Sequence, residues 1–234
     1  LTVARALIDL LPAEDLVYVG DTGRYPYGPR PLGEVAGFAH QIAHHLVDEH
    51  DVKLLVVACN TAAAAALGEL QAELPIPVIG VIEPGVRSLV RATETGRVGV
   101  IGTVGTVRSG AYQGAVAATG TEVELTIAAC PGFVEFVERG ETYSDQVLVL
   151  AERLLAPVID AKVDALLLGC THYPFLARAL SDVVGRDVVL VSSADETAFE
   201  VLHLLESTHS PVGRNAVGRV GTHRFVSSGD VELF

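Results

Sequence analysis

Cys59 and Cys170 stand in matching stretches of the chain. Val52-Lys53-Leu54-Leu55-Val56-Val57-Ala58-Cys59-Asn60-Thr61 is an apolar run that ends in a thiol and continues into small polar side chains. Val163-Asp164-Ala165-Leu166-Leu167-Leu168-Gly169-Cys170-Thr171-His172 repeats that order. In each, a Val stands seven residues before the Cys and a Thr follows within two. α/β proteins place their chemistry at the carboxyl ends of buried strands. The amino end of a following helix favours a thiolate there. Two such thiols in equivalent halves suggest one sulfur on each side of a substrate. His172, two residues beyond Cys170, is placed to relay a proton or to stabilise that thiolate.

Other reactive residues carry weaker signals. His40 and His44 have the i, i+4 spacing of metal ligands, with His45 on the same face and His50 beyond the helix end. No Glu follows His40 as an H-E-x-x-H motif requires, so the three read as a solvated helix face and no metal site is expected. No C-x₂-C pair accompanies the cysteines, which argues against structural zinc at the thiols. Gly102-Thr103-Val104-Gly105-Thr106 lacks the G-x-G-x-x-G pattern, and no phosphate loop of the G-x-x-x-x-G-K-[ST] type occurs. Its donors suit a carboxylate instead. Cys130, in Ala129-Cys130-Pro131-Gly132, has no comparable partner and reads as structural.

The elements that must position these groups alternate along the chain. Apolar spacing predicts a helix over residues 1–11, stopped by Pro12, then a strand at Leu16-Val17-Tyr18-Val19. The segment from Arg24 to Pro31 is too rich in proline for a helix or central strand. Helices are expected over 33–49, from Ala62 to before Pro75, near 86–94, over 107–119, 133–139, 144–160 and 194–206, with another opened by Pro174. Strands are expected over 53–58, 78–82, 98–103, 122–128, 165–168 and 188–191. The tail from Ser207 reads as irregular until Arg224-Phe225-Val226. This order predicts an α/β fold with mostly parallel strands, built as two similar three-layer halves. One half comprises 1–84 with 193–234 and the other 85–192, related by a pseudo-two-fold axis with the active site in the cleft between them.

Composition narrows the function. Half of the 234 residues are hydrophobic and 19% are charged, which fits a folded globular protein. The net charge of −13 argues against nucleic acid or an anionic membrane as partner. No run approaches the roughly 18 apolar residues of a transmembrane helix. Three widely spaced cysteines indicate reduced thiols and a cytoplasmic location. The chain has no methionine and begins at Leu1, so residues upstream are expected, including a first strand.

Gly20-Asp21-Thr22 with Pro26-Tyr27-Gly28, Ala58-Cys59-Asn60-Thr61, Gly102-Thr103-x-x-Thr106 and Leu168-Gly169-Cys170-Thr171-His172-Tyr173-Pro174 together resemble glutamate racemases of the aspartate/glutamate racemase superfamily. The resemblance runs in order from Leu1 to about residue 205. It implies racemisation of glutamate for bacterial peptidoglycan synthesis without pyridoxal phosphate or another cofactor. By resemblance, Cys59 serves the D-glutamate face and Cys170 the L-glutamate face, with His172 helping to activate Cys170. Tyr27 with Gly28, Asn60 with Thr61, and Thr171 with His172 would bind the substrate, assisted by Thr103 and Thr106. The family also carries an Asp-Ser-Gly-x-Gly-Gly loop, expected upstream of Leu1, whose Asp supports the first cysteine. Homodimers are usual in such a family. Aspartate or hydantoin racemisation, and a non-catalytic relative that contacts DNA gyrase, are the alternatives this reading leaves open.

Overall fold

The structure is a computed structural model and describes residues 1–207 and 219–229. Its described elements begin with helix α1 (Thr2–Leu10), strand β1 (Leu16–Gly20), a 3₁₀ turn at Thr22–Arg24 and α2 (Leu32–His50). Next come β2 (Leu55–Val57), α3 (Asn60–Glu73), β3 (Val78–Gly80) and α4 (Ile82–Ala92). The middle of the chain forms β4 (Arg97–Gly102), α5 (Val104–Arg108), α6 (Ala111–Ala118), β5 (Glu124–Ala129), α7 (Phe133–Glu138) and α8 (Asp145–Asp160). It closes with β6 (Ala165–Gly169), a 3₁₀ turn at Tyr173–Leu176, α9 (Ala177–Val184), β7 (Val189–Val191), α10 (Ala194–Ser207) and β8 (His223–Ser227).

Every strand pair among the described residues is parallel. Four strands form one sheet in the order β5-β4-β6-β7. All five residues of β6 are buried, as the unbroken run Ala165-Leu166-Leu167-Leu168-Gly169 requires of a strand covered on both faces. The register pairs Gly102 with Gly169, so Thr103 and Cys170 leave the sheet at the same level. The first half differs from the expected equivalence. Its strands form two separate pairs, β1 with β8 and β2 with β3, rather than one sheet. A cavity of about 660 Å³ is bordered by β1, by residues 53–58 around β2, and by helices α1, α2 and α10.

Several boundaries differ from the sequence reading, each for a physical reason. The expected strand over 78–82 stops at Gly80, and α4 begins at Ile82 rather than near 86. Pro84 lies in its first turn, where a missing N–H breaks no intrahelical bond. The expected helix over 107–119 is two helices. Gly110 sits at φ 74°, a left-handed conformation glycine accepts readily, and turns the chain between α5 and α6. That turn delivers Tyr112 to the interior, where it is 1% exposed. Pro174 opens a 3₁₀ turn, with α9 following at Ala177. The β8 strand lies beside β1, so the expected irregular tail ends in a sheet partner; residues 208–218 and 230–234 lie outside the described residues.

Candidate active site

Cys59 leaves β2 in extended conformation and is the residue at which α3 starts. The Thr61 and Ala62 N–H groups and the Thr61 hydroxyl face its sulfur. Asn60 and Thr61, in the first turn of α3, are buried. Thr61 Oγ1 hydrogen-bonds Thr103 Oγ1 at 2.9 Å and Thr106 Oγ1 at 3.1 Å, and Thr103 and Thr106 close the triangle at 2.9 Å. The triangle joins α3 to the start of α5, which Thr103 caps by accepting from the Thr106 N–H. Tyr27 and Gly28 approach the same place from the proline-rich loop. The Gly105 N–H donates to Gly28 O at 2.9 Å. A Cβ on Gly28 would lie 2.9 Å from Thr103 Cβ, so glycine is required there.

Cys170 leaves β6 through Gly169. A Cβ on Gly169 would stand 2.6 Å from Ile101 O and 2.7 Å from the Tyr112 hydroxyl oxygen, which only glycine avoids. The His172 Nδ1 atom lies 3.7 Å from Cys170 Sγ, and its Nε2 lies 2.6 Å from Glu138 Oε1. With Nε2–H donating to Glu138, the tautomer leaves the Nδ1 lone pair facing the thiol. Glu138, His172 and Cys170 thus form a line of proton-transfer groups. Thr171 completes this wall, its carbonyl accepting from the Thr2 hydroxyl at 3.4 Å.

Tyr27, Gly28, Cys59, Asn60, Thr61, Thr103, Cys170, Thr171 and His172 all line the one cavity. Thr106 lies behind that lining, fully buried, and acts on it through Thr61 and Thr103. Asn60 Oδ1 accepts from the Tyr112 hydroxyl at 2.7 Å, while Asn60 Nδ2 has no partner. An unmade buried donor costs about 1–3 kcal/mol, so this N–H₂ is poised for an acceptor on an incoming molecule.

Two residues that shape the site, Glu138 and Tyr112, carry no local sequence signal, and Asp21 stands in the Gly20-Asp21-Thr22 run, which assigns it no role by itself. Asp21 accepts hydrogen bonds from the Tyr27 hydroxyl, from Ser228 Oγ at 2.5 Å and from Arg24 Nε at 2.9 Å. Burial pushes its carboxyl up, but these bonds outweigh it and hold the group below the usual carboxylate range. Cys130 behaves as read: it is buried, and its carbonyl accepts from the Tyr173 hydroxyl at 3.0 Å.

The thiols themselves depart from expectation. Burial pushes both up, Cys170 to about 12, although the His172 and Tyr173 N–H groups pull Cys170 down and the Thr61 and Ala62 N–H groups pull Cys59 down. A thiolate at Cys59 also raises Cys170, a like-charge effect that couples the two sulfurs. The backbone donors act as foreseen, but desolvation is the larger influence.

The parallel α/β fold and the thiol pair in one cavity define the class as a racemase. The sequence pattern described as Asp/Glu/Hydantoin racemase matches residues 2–200, and the chain belongs to that family. It is 50% identical over its full length to the glutamate racemase of Acidothermus cellulolyticus, covering 88% of that protein. Its structure is similar to a glutamate racemase isoform of Bacillus anthracis, with a TM-score of 0.93, 40% identity, and coverage of 99% of this chain and 85% of the other. It also matches the Francisella tularensis glutamate racemase solved in complex with D-glutamate, with a TM-score of 0.90, 31% identity, and coverage of 100% and 85%.

Proposed function

We propose that this chain racemises glutamate, without an organic cofactor, by proton transfer at Cα between Cys59 and Cys170, and that it supplies D-glutamate for peptidoglycan. The observation that carries this reading is the meeting of both thiols in one cavity, each at the carboxyl end of a strand from a different sheet. The kinship with glutamate racemases selects glutamate over aspartate or a hydantoin. The substrate carboxylates take the Asn60 N–H₂, the Thr61, Thr103 and Thr171 hydroxyls and the backbone donors of the two turns, with Tyr27 and Gly28 closing the site.

In the L-to-D direction, His172 accepts the Cys170 proton at Nδ1, and Glu138 stabilises the resulting imidazolium. The Cys170 thiolate removes the α-proton, and the Cys59 thiol donates its proton to the opposite face. One C–H bond breaks and one forms, leaving Cys59 as thiolate for the reverse turn. The two functional lobes in this reading are 1–84 with 193–234, and 85–192, with the cleft between them. We further propose a cytoplasmic homodimer.

Replacing either Cys59 or Cys170 by Ser should lower kcat by about 10²–10⁴-fold with the fold intact. Turnover of L-glutamate in deuterium oxide should place solvent deuterium at Cα of the D product. Racemisation that persists without wash-in, or that survives both substitutions, would sink the two-thiol reading; faster turnover of aspartate than of glutamate would sink the substrate.

A further inference from the structure

We propose that His40, His44 and Glu73 form a site for a divalent transition-metal ion that fastens α2 to α3. His40 and His44, one helical turn apart on α2, stack their rings with centroids 6.5 Å apart and an angle of 24° between planes. Glu73, the last residue of α3, meets both. Its Oε2 lies 3.0 Å from His40 Nδ1 and its Oε1 lies 2.7 Å from His44 Nε2. One ligand atom from each of the three residues falls within 4.8 Å of the others.

Tetrahedral zinc with bonds near 2.05 Å sets its ligand atoms about 3.3 Å apart. The 3.0 and 2.7 Å spacings from the two histidines to Glu73 lie just inside that value. His40 carries a further feature of metal-binding histidines: its other nitrogen, Nε2, lies 3.0 Å from Glu69 Oε2. A carboxylate on the far nitrogen fixes the tautomer and aims the Nδ1 lone pair at the bound ion. Without a cation between them, that lone pair would face the Glu73 carboxylate directly.

Two imidazoles and a carboxylate favour zinc, cobalt, nickel or copper over calcium or magnesium. His40 is only 23% exposed, whereas His44 and Glu73 are nearly half exposed, which leaves room for water to complete the coordination. The net charge of −13 favours capture of a cation. His40 and His44 read from sequence as part of a solvated helix face, and in the fold they reach Glu69 and Glu73 of the neighbouring helix. α3 begins immediately after Cys59, and α2 follows the loop carrying Tyr27 and Gly28, so the clamp would hold two elements that position the active site without touching substrate.

Tag-free protein titrated with zinc in a calorimeter should bind one ion with His44→Gln and Glu73→Gln each weakening affinity at least about tenfold. Zinc should raise Tm in the unaltered protein and not in either variant, and both variants should keep metal-free racemase activity and native circular dichroism. The thiols are the rival ligands. A Cys59→Ser/Cys170→Ser protein should retain the site, and its cobalt complex should lack a thiolate charge-transfer band. Unchanged zinc affinity in both His44→Gln and Glu73→Gln, loss of binding in the double serine protein, or no binding by the unaltered protein would each overturn the proposal.

Discussion

At the scale of single residues, the site sets burial against hydrogen bonding. The thiols lie where backbone N–H groups would favour thiolate, yet burial raises both above the ordinary thiol range. This has a consequence for stability. The Cys170 thiol titrates near its ordinary value of 9.0 when unfolded and near 12 when folded. Below pH 9 both states carry the proton and nothing changes. Between about 9 and 12 the unfolded chain releases it first, so stability falls as pH rises, by about 1.4 kcal/mol per pH unit at most from this group. Denaturant titrations at pH 8 and pH 10 should show a smaller loss in Cys170→Ser than in the unaltered protein. A second prediction concerns Glu138, whose carboxylate neutralises His172 as it takes the thiol proton. Glu138→Gln should cut kcat by about 10–100-fold with little change in KM. Because the two enantiomers are equal in free energy, kcat/KM must fall equally in both directions. A loss confined to KM would assign Glu138 to substrate binding instead.

At the scale of elements, what the sequence marks out is local. An apolar run, a thiol and a small polar helix start form one continuous signal, and the Cys59, Asn60, Thr61, Cys170 and Thr171 that it marks all line one cavity. Glu138 was not legible in this way, because it reaches His172 from another helix. Tyr112 meets Asn60 only after Gly110 has turned α6 inward. The boundary at Ile82 was obscured because Val78-Ile79-Gly80-Val81-Ile82 remains apolar as it passes from strand to buried helix. The loop-to-helix contact supplies a test at this scale. Gly28→Ala would drive a methyl into Thr103 and push the loop off the Gly105 N–H. Overpacking of this kind costs about 1–3 kcal/mol. The variant should lose stability by that amount, measured by denaturant, and raise KM more than it lowers kcat. Unchanged stability and KM would show that the loop does not depend on this close approach.

At the scale of the whole molecule, the two halves are unequal in a way that bears on activity. The second half has a continuous four-stranded sheet behind Cys170, Thr103 and their partners. The first half has two strand pairs with a cavity beside them, and Cys59 stands at the end of one pair. Cys59 therefore depends on the turn into α3, and that turn is tied to the second half by the Thr61–Thr103–Thr106 hydroxyl triangle. Thr106 is fully buried and closes the triangle from behind the cavity. Thr106→Val removes its hydroxyl and leaves its two partners short of a bond, which should cost about 1–3 kcal/mol. Denaturant titration should show that loss, and racemase activity should fall equally in both directions because the two enantiomers are equal in free energy. Unchanged stability and activity would show that the Cys59 turn holds its place without the tie to the second half.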